Sequence, residues 1–129
     1  GIKQMMQRLI HYQPLPAYDA PDTPGWCLMR AILGQWIRTI PKPVLIVPIP
    51  LAHHMDGLSD AGPYQARFKE LAAELGCALH DPLPDILQHR PEDRRRFRWE
   101  RDVHFTPEGN EVMADSLAPV IAQLLGDPH

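Results

Sequence analysis

Asp102 and His104 stand two residues apart in Arg101-Asp102-Val103-His104-Phe105-Thr106-Pro107. A carboxylate that close to an imidazole is the pairing a general base uses. The carboxylate fixes the ring tautomer and stabilises the imidazolium, while the other ring nitrogen takes a proton from a nucleophile. Spacing alone also suits a histidine held in a helix-capping network. The chain has two serines. Ser59, in Gly57-Leu58-Ser59-Asp60-Ala61-Gly62, lies between a strand and a helix, as a nucleophile elbow requires. Ala61 occupies the place where an elbow needs glycine, so a loop that caps the next helix is the expectation. Ser116 falls inside the last helix, where no strained elbow can form, so its Asp-Ser letters read as chance.

His53 and His54 follow a strand end and are candidates to line a cleft. Neighbours in an extended chain point to opposite sides, so both cannot face one metal from a strand. With Asp56 and His104 they approximate a His/Asp metal set, the basis of a metal-dependent alternative, but surface-loop histidines are the default. His80 is expected to be a partly buried, hydrogen-bonded residue. Cys27 and Cys77 each sit in an apolar run and are expected to be buried free thiols. No zinc-ligand spacing occurs, so neither metal nor cofactor is expected.

Composition narrows the classes. The 129 residues fit one domain, and the formal charge is −3. The basic run Arg94, Arg95, Arg96, Arg98 and Arg101 is interleaved with Glu92, Asp93, Glu100 and Asp102, which argues against a nucleic-acid face. The longest apolar stretch, Val44 to Ile49, is far short of the ~20 residues of a membrane span. Gly1 followed by Ile2-Lys3-Gln4-Met5-Met6 reads as the interior of a helix, so the expectation is a piece of a longer chain. No targeting segment is visible, and the compartment is not legible.

These residues need elements to hold them. Ile2, Met5, Met6, Leu9 and Ile10 predict a helix over 2–11, followed by a proline-rich connection to about residue 25. Thr23 and Pro24 are N-cap and first-turn residues of a helix carrying Trp26, Met29, Ile32, Leu33, Trp36, Ile37 and Ile40, ending before Pro41. Trp26 and Trp36 read as core or as a contact face. Val44-Leu45-Ile46-Val47, an unbroken aliphatic run, marks a strand of a parallel sheet buried on both faces. A helix over 63–75, with Gly76 as its C′ residue, leads to a second strand at Cys77–His80. A helical turn at Leu83–Leu87 and an arginine-rich loop to Arg101 precede a last helix, capped by Thr106 with Pro107 next, bearing Val112, Met113, Leu117, Val120, Ile121, Leu124 and Leu125. Pro119 should kink it. The alternation predicts an α/β layer with a parallel sheet. Two strands are too few for a stable sheet.

The block Asp102-Val103-His104-Phe105-Thr106-Pro107-Glu108-Gly109-Asn110, followed by a long apolar helix, resembles the last motif of the SGNH (GDSL-type) hydrolases. The order Val44–Pro50, Pro63–Leu75 and Cys77–Leu83 is similar to that family's fourth strand, following helix and fifth strand. The resemblance covers about residues 26–125. It implies a flavodoxin-like three-layer α/β/α fold of which only the C-terminal half is present. It also implies His104 as catalytic base and Asp102 as its orienting acid. Asp-x-His replaces the usual Asp-x-x-His and resembles the variant in branches that transfer or remove acetyl groups on polysaccharides. The family's nucleophile block and the residues of its oxyanion hole are missing.

The resulting expectation divides the chain into 1–25, a helix and connection, and 26–129, half of a serine esterase domain. Its substrate would be a small-molecule or carbohydrate acyl ester, and the chain alone would be inactive. A second chain, a homo-oligomer partner or the missing half, would pair with the exposed sheet edge. The alternative of another class is a non-catalytic α/β assembly module.

Overall fold

Proline and capping residues set most of the helix starts. In the computed structural model, which describes residues 1–10 and 12–126, α1 spans Ile2–Leu9. His11, expected within that helix, and Asp127–His129 at the end of the second unit lie outside the described residues. A 3₁₀ turn at Pro16–Tyr18 precedes α2, Pro24–Arg38. Thr23 Oγ1 accepts a hydrogen bond from Trp26 N at 3.4 Å, as an N-cap should. The helix α4, Gly62–Leu75, ends on Gly76 with φ +65°, the left-handed geometry glycine adopts without steric cost. In the last helix, α7, Pro107–Leu124, Thr106 Oγ1 accepts from Gly109 N at 3.2 Å. It runs through Pro119, whose ring can supply no N–H to the Asp115 carbonyl.

The two strands form as expected but are shorter. β1, Leu45–Ile46, pairs in parallel with β2, Ala78–Leu79, in the register Leu45 to Ala78 and Ile46 to Leu79. Among the described residues the sheet holds these two strands and no more. A mixed α/β architecture is present. Three short elements complete the chain: α3 at Ala52–Met55, α5 at Leu83–Leu87, and α6 at Pro91–Arg94, continued by a 3₁₀ turn at Arg95–Phe97. The arginine-rich segment is therefore about half helical rather than all loop. Acidic groups meet its arginines: Arg90 pairs with Asp93 at 2.9 Å, Arg96 with Glu108 at 3.0 Å and Arg98 with Asp56 at 2.5 Å.

The core joins Met55, Tyr64, Leu83, Ile86, Phe97 and Met113, with Tyr18, Phe68, Phe105 and Val112 packed against it. Tyr18, Trp26 and Phe68 form a triangle of edge-on rings with centroids 5.3–5.9 Å apart. The proline-rich connection thus packs into the same core as the helices. Trp26 is buried and Trp36 is exposed. Ten residues at about 100° each leave them about 80° apart on the helix, enough to separate core from surface.

Much apolar surface is left open. Val44 to Val47 are half-buried, where a central parallel strand would be fully covered. Leu28, Ile32 and Trp36 on α2, and Ile121, Leu124 and Leu125 at the end of α7, are exposed. Ile2, Met5, Met6 and Leu9 on α1 are exposed as well. Cys27, expected to be buried, is exposed, and Cys77 is half-buried; both are free thiols. Cys27 stands about 80–100° around α2 from Ile37 and Trp26, so an apolar neighbourhood in sequence did not place it in the core.

Candidate functional site

The segment that carries Asp102 and His104 is a narrow hairpin rather than an open loop. Its arms meet at an antiparallel bridge between Arg98 and Phe105. Trp99 N donates to His104 O at 3.2 Å, and Asp102 N donates back to Trp99 O at 3.3 Å, closing a turn at the tip. The base is anchored from both sides. Phe97 is fully buried, Phe105 packs on the core, and Thr106 N donates to Phe97 O at 3.0 Å. Burying a phenylalanine contributes about 1.5–3 kcal/mol, so the hairpin stands on a firm base. Gly109 is required there: a Cβ on it would land on the Phe97 carbonyl oxygen.

At the tip, Asp102 Oδ1 accepts from His104 Nδ1 at 2.5 Å and from His104 N at 3.1 Å. Bonding to the His104 ring, then to its backbone N–H, holds the Asp102 carboxyl below the usual aspartate range. With Nδ1 committed to the carboxylate, Nε2 is the nitrogen left to act on a proton. Both side chains are open to solvent, His104 at 78% and Asp102 at 52%. Beside them runs a depression of about 430 Å³, floored by Ile49, Leu51, Met55 and Phe105 and bordered by Asp102 and Val103. The two side chains are paired, and Asp102 but not His104 is among the residues that line this depression.

The other expected residues are not drawn to that site. Ser59 Oγ donates to the Tyr12 carbonyl at 2.7 Å and ties the loop to the N-terminal connection. The His53 ring lies 4.9 Å from the Tyr12 ring. His54, expected on the surface, is 2% exposed and packs its ring 5.0 Å from that of Tyr64. The two histidines sit on α3, where successive side chains turn by about 100° and need not alternate. Neither ring nitrogen of His54 meets a hydrogen-bond partner, and a buried polar atom left unpaired costs about 1–3 kcal/mol. Burial, reinforced by His53, pushes the His54 imidazole below its ordinary value, so it stays neutral. Among the described residues no three His, Cys, Asp or Glu side chains converge on a metal-sized site. The set of His53, His54, Asp56 and His104 is not assembled, because Asp56 is held by Arg98 and His54 is turned into the core.

A second cluster of the same residue types was not foreseen. Ser116, in mid-helix, is 8% exposed, with Oγ 2.7 Å from His80 Nε2 and donating to Asp85 Oδ2 at 2.5 Å. The order is wrong for a relay. The serine proton goes to the carboxylate, so the serine oxygen can only accept from His80 Nε2, which is then a donor and not a base toward it. The cluster fastens α7 to α5 and the end of β2. Nearby, Asp81 accepts from Tyr64 Oη at 2.9 Å, Gln65 Nε2 at 2.7 Å and Leu83 N at 3.0 Å. Burial, then the Asp81 charge, raises the Tyr64 phenol far above its ordinary range, so this hub also stays fixed. A buried serine one turn from Val112 was the available sequence signal, since burying a hydroxyl demands a partner.

Comparison with known proteins finds no match: no family model, no curated protein and no solved structure matches the chain. Among the described residues no helix is long and apolar enough to cross a membrane.

Proposed function

We propose that this chain supplies the acid–histidine half of a serine acyl-hydrolase site, directed at a small-molecule or carbohydrate acyl ester. The observation that carries the reading is the 2.5 Å contact between Asp102 Oδ1 and His104 Nδ1 on an anchored hairpin, which leaves Nε2 free on an exposed ring whose partner Asp102 lines a cleft. In this reading His104 Nε2 takes the proton of a serine hydroxyl as that oxygen attacks the ester carbonyl. It then returns the proton to the departing alcohol, and a water repeats the cycle on the acyl-enzyme. Asp102 holds the ring in the required tautomer throughout.

The serine comes from outside the described residues. Ser59 and Ser116 are both engaged in structural hydrogen bonds. The two-stranded parallel sheet is the C-terminal half of a three-layer α/β/α domain, and the half-buried β1 is the strand where the other half continues it. That half brings the nucleophile and its oxyanion donors opposite His104, and it comes from sequence outside residues 1–129, in a longer chain or in a different partner chain. The half-exposed aliphatic run Val44–Val47 supports this arrangement.

A fluorophosphonate label on the full gene product tests the reading. Labelling of a serine outside residues 1–129, lost in His104→Ala, is the expected result. A folded product that takes no label makes the chain a non-catalytic assembly module. Robust, His104-dependent ester hydrolysis by the isolated chain would return the nucleophile to Ser59.

A further inference from the structure

The arginine segment pairs some of its charges and leaves others over. Arg90 meets Glu92 and Asp93, Arg96 meets Asp93 and Glu108, and Arg98 meets Asp56. Among the described residues Arg94 and Arg95 meet no carboxylate at ion-pair distance. These two neighbours line one cavity of about 120 Å³, together with Gln4, Asp56, Leu58 and Pro91. Arg94 is half-buried, and a cation taken out of water without a counter-charge is costly. Its Nη1 donates to the Met55 carbonyl at 2.6 Å and its Nε is enclosed without a partner, which leaves Nη2 as the end a ligand can reach. Arg95 is exposed. The carboxylate of the lining, Asp56, is already held by Arg98 at 2.5 Å. The cavity therefore carries an excess of positive charge that no described residue answers.

We propose that this cavity binds a small phosphate-like dianion, either free phosphate or the phosphate group of a monoester, held between Arg94 and Arg95. A guanidinium presents its N–H groups in a planar fork that matches phosphate oxygens, and such charge-assisted bonds are roughly twice as strong as neutral ones. The Gln4 side-chain amide can add a neutral donor. At ~30 Å³ per water, the 120 Å³ space holds about four waters. That is room for one tetrahedral oxyanion and not for a molecule of the ~300–1,000 Å³ class. Two cations favour a dianion over a carboxylate, because Coulomb attraction scales with the charge. The inference stands apart from the hydrolase reading, since neither Asp102 nor His104 lines this cavity.

The test is isothermal titration calorimetry of the full gene product with inorganic phosphate, glycerol phosphate and acetate at constant ionic strength. Saturable phosphate binding is expected, with acetate roughly tenfold or more weaker. Arg95→Gln removes an exposed cation and should fold normally while weakening phosphate roughly 10–100-fold, the worth of one charged hydrogen bond. Arg94→Gln should weaken it as much, and should that variant fail to fold for want of the Met55 contact, Arg95→Gln decides. Lys42→Gln, which removes an exposed cation outside the lining, should change nothing. Glycerol phosphate separates the two sources. Affinity equal to or above that of phosphate assigns a monoester, and weaker binding or none assigns the free ion. The proposal is overturned if phosphate does not bind saturably or if acetate binds as tightly. It is also overturned if Arg95→Gln leaves the affinity unchanged, or if Lys42→Gln lowers it as far as Arg95→Gln does.

Discussion

The Asp102–His104 tip and the His80–Ser116–Asp85 cluster use the same kinds of side chain and differ in wiring and in depth. At the tip the carboxylate takes His104 Nδ1 and leaves Nε2 open, with His104 78% exposed. In the interior Nε2 of His80 is spent on Ser116, whose proton goes to Asp85, with the His80 side chain 20% exposed. A serine, a histidine and an acid within hydrogen-bond reach are therefore not a catalytic group in themselves. What matters is that the histidine keeps one nitrogen for a reactant and that the serine proton is not already claimed. The first cluster meets the histidine condition and lacks a serine. The second has its serine and fails both.

Substitutions that separate rate from stability are the sharpest way to break this contrast. In the full gene product His104→Ala should lower ester turnover by roughly 10²–10⁴-fold, the usual worth of a general base. Its melting curve should stay within about 0.5 kcal/mol of the unsubstituted protein, because an exposed side chain is removed. A large loss of stability with unchanged turnover would reverse the roles of the two clusters. Next in size, Gly109→Ala should destabilise by about 3 kcal/mol, the upper end of overpacking costs, since the new methyl meets the Phe97 carbonyl. Denaturant unfolding measures it. A neutral result would show that the hairpin base tolerates movement and that its tip is not held.

Ser116→Ala tests the interior cluster from the other side. It should cost about 1–2 kcal/mol, the penalty of leaving hydrogen-bonding groups unpaired, because Asp85 is partly open to water and can recover a partner. Turnover in the full product should not change. Lost turnover at full stability would mean that Ser116 serves the reaction after all.

The elements of this fold were more legible than their surroundings. Thr23, Gly76 and Thr106 act locally, through hydrogen bonds and dihedrals within a few residues, and each ends or starts a helix where the sequence places it. The Asp102–His104 contact is equally local, two residues apart, and was legible for the same reason. His54 was not, because a four-residue helix carries no periodicity from which to choose the buried side. Nor was Ser116, whose partners lie 31 and 36 residues away in sequence and meet it only after β2, α5 and α7 pack. The arginine segment is less legible, since two of its arginines, Arg96 and Arg98, find their partners Glu108 and Asp56 on other elements.

The smallest expected effect bears most directly on whether the tip is a built pair. Bonding to His104 holds the Asp102 carboxyl below its ordinary value of about 3.9. A depressed carboxylate stabilises the folded state above its unfolded pKa, and that contribution is lost as the pH falls through the folded value. Here it should barely register in a melting curve, because the carboxylate and its partner are in water, where pairing is weak. The carboxyl ¹³C shift of Asp102 reads it directly. It should titrate below the ordinary aspartate range, and His104→Ala should move it back up. If the titration is already ordinary with His104 present, the contact is not populated in solution. His104 Nδ1 is then unassigned, nothing selects the tautomer that leaves Nε2 free, and the tip loses what separates it from the interior cluster. A depressed titration in the chain by itself means the acid and base are oriented before any serine arrives. The other half of the site would then have only to bring the nucleophile within reach.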